Sequence, residues 1–115
     1  METAAADLDL LPLPDVAERL NIPITAVHQL VNDGLLIAVR ADGRPPGVPS
    51  SFLGPEGPVK HLPAVITLLR DGRYNDDEII DWLFRDDPTI PGTAIGALVA
   101  DRGTEIKRRA QAAGF

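Results

Sequence analysis

From Leu13 onward the apolar residues recur at helical intervals. In LPDVAERL, residues 13–20, Val16, Ala17 and Leu20 fall on one face. Pro14 costs no hydrogen bond at a helix start, and Asp15 and Glu18 suit its positive end. Asn21-Ile22-Pro23 breaks the pattern. A second helix, ITAVHQLVND, then sets Val27, Leu30 and Val31 at i, i+3 and i+4, and Gly34 supplies a left-handed stop. Outside that stripe are Ile24, Thr25, His28, Gln29 and Asn32. Next comes an apolar run, Leu35-Leu36-Ile37-Ala38-Val39-Arg40, read as a strand that returns at Phe52-Leu53. The Asp42-Gly43 pair between the two runs predicts a hairpin, and Pro45 and Pro46 make its tip stiff and poor at pairing. The result is a short wing. Residues 54–58 read as a loop leading away from it.

Further helices are predicted after the wing. Residues 59–70 carry Leu62, Val65, Ile66 and Leu69 on one side, with Pro63 near the first turn. Residues 75–84 open on Asn75 and Glu78, spaced as a capping box, and bury Ile79, Trp82 and Leu83. Residues 87–92 form a break. Residues 94–113 read as a last helical region interrupted at Gly103, with Ile106, Ala110 and Ala113 on one face. The fold class expected is mainly α: a winged helix-turn-helix with a small β-hairpin wing and a C-terminal helical extension. By segment, residues 1–11 are a flexible acidic tail, 12–58 the winged helix-turn-helix, and 59–115 a helical region packed on it.

A chain of 115 residues buries about two-thirds of its unfolded surface, enough for one modest core. With 44% hydrophobic residues it is folded rather than disordered. Cysteine is absent, which excludes disulfides, thiolate nucleophiles and cysteine zinc sites. The start, METAAADLDLLPLP, has no basic region of the secretory kind, and no apolar run is long enough to span a membrane. A cytoplasmic location is expected. The net charge of −6 opposes phosphate binding, but its distribution matters more than its sum. The acids concentrate in the tail and in the C-terminal half. Between residues 13 and 60, Arg19, Arg40, Arg44 and Lys60 nearly balance Asp15, Glu18, Asp33, Asp42 and Glu56. Weak non-specific affinity for nucleic acid is therefore expected.

Thr25, His28, Gln29 and Asn32 are the candidates for base-edge contacts, since Gln and Asn match adenine and His or Thr can bond guanine or phosphate. The bland alternative is a solvated helix face. Arg40 and Arg44 flank the wing turn and are candidates for backbone phosphates or a minor groove, with ordinary solubility charge as the alternative. Lys60 is a further candidate for a phosphate. Lys107, Arg108 and Arg109 form a secondary basic patch, although cations near a helix end also suit its dipole. Asp76, Asp77 and Glu78 are explained by a helix start without a metal, and an EF-hand spacing is missing. His28 and His61 lack ligand motifs, and Ser50-Ser51 has no nucleophile context. Tyr74, Trp82 and Phe84 read as core rather than a base-stacking platform. No catalytic site, cofactor or metal is expected.

The motif LPDVAERLNIPITAVHQLVNDGLLIAVRADG resembles the helix-turn-helix of the MerR and excisionase-like group. With VKHLPAVITLLRDGRYNDDEIIDWLF and the closing RRAQAAGF, nearly everything after Leu13 looks like a short actinobacterial, mycobacterial-type winged helix-turn-helix protein. That resemblance implies DNA binding of a regulatory or nucleoid type, with no catalytic site. Such relatives often carry Arg or Lys on the exposed recognition face, whereas residues 24–33 here have neither. The implied partner is double-stranded DNA, with a second copy or another protein on the C-terminal helices. Thr3, in the acidic tail, is accessible to a Ser/Thr kinase, and a phosphate there would weaken DNA binding electrostatically. The alternative is a protein-interaction module, because WLFRDDPTIPGTAIGALVADRGTEIKRRA is similar to the C-terminal part of a bacterial antitoxin type.

Overall fold

The computed structural model describes residues 9–40, 43–90 and 92–113. The chain enters through a short strand, β1 (Leu10–Pro12), and turns directly into α1 (Leu13–Leu20). Pro14 occupies the first turn of α1, and Asn21, at φ 55°, ends it in the left-handed conformation. Asn tolerates that conformation better than most residues, which makes the break at 21–23 local in origin. The second helix, α2 (Ile24–Asn32), starts after the extended Pro23. Gly34, at φ 77°, stops it and lets the Leu35 N–H return to the Leu30 carbonyl at 2.9 Å. The two helices pack on each other, with Val16 and Val27 fully buried.

The wing forms with different partners from those expected. Leu36 and Ile37 are both buried, so this stretch does not alternate as a half-exposed strand would. Only Val39 bridges, exchanging hydrogen bonds of 2.7 and 2.9 Å with Gly47, and this closes the wing loop. From Gly47 the chain pairs with the tail side: β2 (Gly47–Pro49) lies antiparallel to β1, with Leu11 opposite Val48. Leu10 and Leu11 therefore belong to the fold and not to a flexible tail. Three residues are too few to show a period in sequence, yet they cover the fully buried Val48. Phe52 is not in a returning strand either. It lies in a 3-10 turn (Ser50–Phe52), followed by β3 (Leu53–Gly54), which pairs tightly with β4 (Gly57–Pro58). The stretch read as a departing loop is a small hairpin.

The helix after the wing, α3 (Leu62–Asp71), starts later than the periodicity suggested. Pro63 fits only the first turn, so the preceding residues stay outside, and His61 takes a left-handed φ of 71°. The next helix, α4 (Asp76–Phe84), has the capping box: the Glu78 N–H donates to Asn75 Oδ1 at 2.8 Å, and the Asn75 N–H to Glu78 Oε1 at 2.9 Å. The last helical region is two helices, α5 (Ala94–Val99) and α6 (Gly103–Ala113), with Asp101 at φ 63° between them. Along α3 lies α6, where Leu62, Ile66 and Leu69 share a core with Ile106 and Ala110. That core is continuous with Val16, Val27 and Val48 of the winged part. Phe52 and Phe84 stack across the join, with ring centroids 5.8 Å apart.

Candidate nucleic-acid interface

Packing of α2 against α1 uses Val27, with Leu30 and Val31 half-buried beside it. What remains outward is polar: Thr25, His28, Gln29 and Asn32 are all exposed. Ile24, 39% exposed, adds an apolar group at the helix start, where thymine methyl groups are the matching chemistry. Gln29 Nε2 donates to Asp33 Oδ1 at 2.8 Å, one turn on along α2. That bond orients the amide, but it also brings a carboxylate to the end of the face. Asp33 is a polar group that patterning by helix period alone treats as a mere stop.

Arg40 and Arg44 are exposed, one on each arm of the loop closed by the Val39–Gly47 bridge. Ala41 and Asp42, including half of the expected Asp-Gly turn, lie outside the described residues. Gly43 has φ 74°, as a turn residue needs. Short loop closure holds both arginines near the wing whatever their rotamers.

Lys60 is placed elsewhere. It stands with Arg19, from the end of α1, on a cleft between the wing exit and the corner joining α5 to α6. In the sequence Arg19 enters only the charge balance, because no periodicity reveals that two cations far apart in the chain share a cleft. The secondary patch is divided. Arg109 is committed, donating to Glu105 at 3.0 Å and to the Thr89 hydroxyl at 2.7 Å, while Lys107 and Arg108 have no ion pair among the described residues. Thr3 lies outside the described residues.

The acidic start of α4 is satisfied internally, with Asp76 paired to Arg70 at 3.0 Å beside the capping box. Asp87 has its pKa lowered from 3.8, first by the hydrogen bonds from the Thr89 hydroxyl and backbone N–H, then by Arg109 and Arg85.

This architecture has a counterpart over nearly its whole length. The protein "DNA-binding protein Rv2175c" of Mycobacterium tuberculosis (strain H37Rv) is 41% identical over 118 residues, spanning 90% of this chain and 79% of that protein. The chain belongs to the Rv2175c family. An NMR structure of Rv2175c superposes with a TM-score of 0.85 at 36% identity, covering 95% of this chain and 83% of that one. The family's winged helix-turn-helix domain, described as "DNA-binding protein Rv2175c, wHTH domain", matches residues 2–53. Its "C-terminal domain of unknown function" matches residues 59–114. Within the Rv2175c family fold, β1 belongs to the matched winged domain, in keeping with its pairing to β2. Among the described residues no helix is long and apolar enough to cross a membrane.

Proposed function

We propose that this protein binds double-stranded DNA through its winged helix-turn-helix, in transcriptional or nucleoid regulation and without enzymatic chemistry. The observation that carries the reading is the outer face of α2. Thr25, His28, Gln29 and Asn32 are relieved of core duty on a helix whose other side is anchored by Val27. In this reading α2 enters the major groove and Arg40 and Arg44 take backbone phosphates from the wing. The description of the Mycobacterium tuberculosis relative as DNA-binding supports it. So few cations bind weakly as one copy, so a second copy or a protein partner on the C-terminal helices completes the proposal.

Fluorescence anisotropy on a random duplex and on the protein's own upstream region, across a salt series, tests it. The expected result is tighter binding to one sequence and a log–log salt slope of about −0.9 per phosphate contacted. A folded protein that binds neither duplex at low salt would sink the proposal and favour an adaptor role. A kinase acting on Thr3 is a further proposal: the phosphorylated protein should bind the duplex more weakly, and equal affinities would reject it.

A further inference from the structure

The cleft that holds Arg19 and Lys60 has the chemistry of a small-molecule site. It is a solvent-open cleft of about 520 Å³, lined by both halves of the chain. Leu53 and Val59 come from the wing exit and the segment after it, Leu98 and Val99 from the end of α5. Its volume lies within the range of roughly 300–1,000 Å³ typical of ligand pockets, which are mostly apolar with a few placed polar groups. Val99 is 59% exposed, the most exposed large apolar side chain among the described residues. It lines both this cleft and a smaller groove beyond, where Phe84 and Ile95 continue the apolar floor.

The polar groups define the charge of what would fit. Neither Arg19 nor Lys60 has an ion pair among the described residues. Asp101, at a left-handed φ of 63°, also lines the cleft. Two cations against one carboxylate leave a surplus of a single positive charge. A polyphosphate or a DNA backbone would meet Asp101 as a repelling neighbour; a singly charged acid would not need to approach it. Ser51 adds a hydroxyl, whereas the Ser50 hydroxyl is already engaged with Asp9 at 3.0 Å.

We propose that this cleft binds a small amphipathic organic monoanion, its carboxylate taken by Arg19 and Lys60 and its apolar body laid on Val59 and Val99, over the edges of the buried Leu53 and Leu98. The site stands whether or not the chain binds DNA. An occupant would touch the end of α1 and the α5–α6 corner together, and so join the winged part to the C-terminal helices.

The test is a titration of the full chain, followed by amide NMR shifts, with octanoate, octanamide and inorganic pyrophosphate as separate probes. Octanoate should saturate, with shifts clustered at residues 51–53, 59–60 and 98–101. Octanamide should bind about tenfold more weakly, the scale of one lost charge-assisted contact, and pyrophosphate more weakly than octanoate because it meets Asp101 and has no apolar body for the floor. Arg19→Gln with Lys60→Gln should bring octanoate down to the octanamide level while leaving distant shifts in place. Asp101→Asn, a residue that tolerates the left-handed backbone, should tighten pyrophosphate selectively. Equal binding of octanoate and octanamide would overturn the proposal, as would shifts scattered without saturation. Pyrophosphate binding more tightly than octanoate would overturn it too, by making the cleft a phosphate contact.

Discussion

Arg40 and Arg44 are exposed side chains with no share in the core, so their replacement separates binding from folding. Each change to alanine should lower duplex affinity on all sequences and reduce the salt slope by about 0.9, with the thermal midpoint unmoved. An unchanged slope would remove the wing from the interface. A buried glycine makes the opposite kind of prediction. A methyl group on Gly103 would meet the His61 ring, with Cγ at 2.8 Å and Cβ at 2.9 Å, and His61 Cβ cannot swing aside. Gly103→Ala should cost about 1–3 kcal/mol in urea unfolding, the usual range for overpacking. Pairing it with His61→Gly should recover most of that, since it removes both the clash and a left-handed non-glycine residue. A double variant as unstable as the single one would show that the contact is not the cause.

The elements of the C-terminal half are tied by their connections as much as by their faces. The 85–93 segment is closed by an Asp86–Thr93 bridge and held to α6 by Arg109, whose guanidinium reaches Thr89 and Glu105. Arg109→Ala should therefore lower stability, by about 1 kcal/mol, and leave duplex affinity unchanged. Loss of DNA binding without loss of stability would instead assign Arg109 to an interface. Asp87 adds a pH dependence to the same segment. Its folded pKa lies below the ordinary 3.8, so the unfolded chain binds the proton more readily. The stabilisation is present above the ordinary value and is lost as pH falls through the lowered one. Acid unfolding followed by circular dichroism should show this loss in the native protein and not in Asp87→Asn; identical acid limbs would rule it out.

At the scale of the molecule, the two family-matched segments share one hydrophobic cluster rather than two. Phe52 is fully buried in the winged part and stacks on Phe84 of α4. Unfolding should be a single cooperative transition, the same by fluorescence of the lone Trp82, in the C-terminal half, and by far-ultraviolet circular dichroism. Phe52→Ala should cost about 3–5 kcal/mol and shift both signals together. Two separated transitions would mean that the halves fold independently.

The helices were legible in the sequence because their causes are local. The Asn21 stop, the Gly34 stop and the Asn75–Glu78 box each act within a few residues, whereas the start of α3 at Leu62 was read three residues early. The exposed face of α2 was legible for the same reason, as the complement of its apolar stripe. What pairs over distance was not. The short strand of Leu10–Pro12 carries no period, and its partner at Gly47–Pro49 is chosen by the burial of Val48. Tertiary packing alone also decided that Arg109 serves the fold, that Gly103 must clear His61, and that Arg19 meets Lys60 above an apolar floor. Propensity and capping are written along a chain. Register, close approach and shared clefts depend on which distant surfaces exclude water together, and only the folded structure settles that.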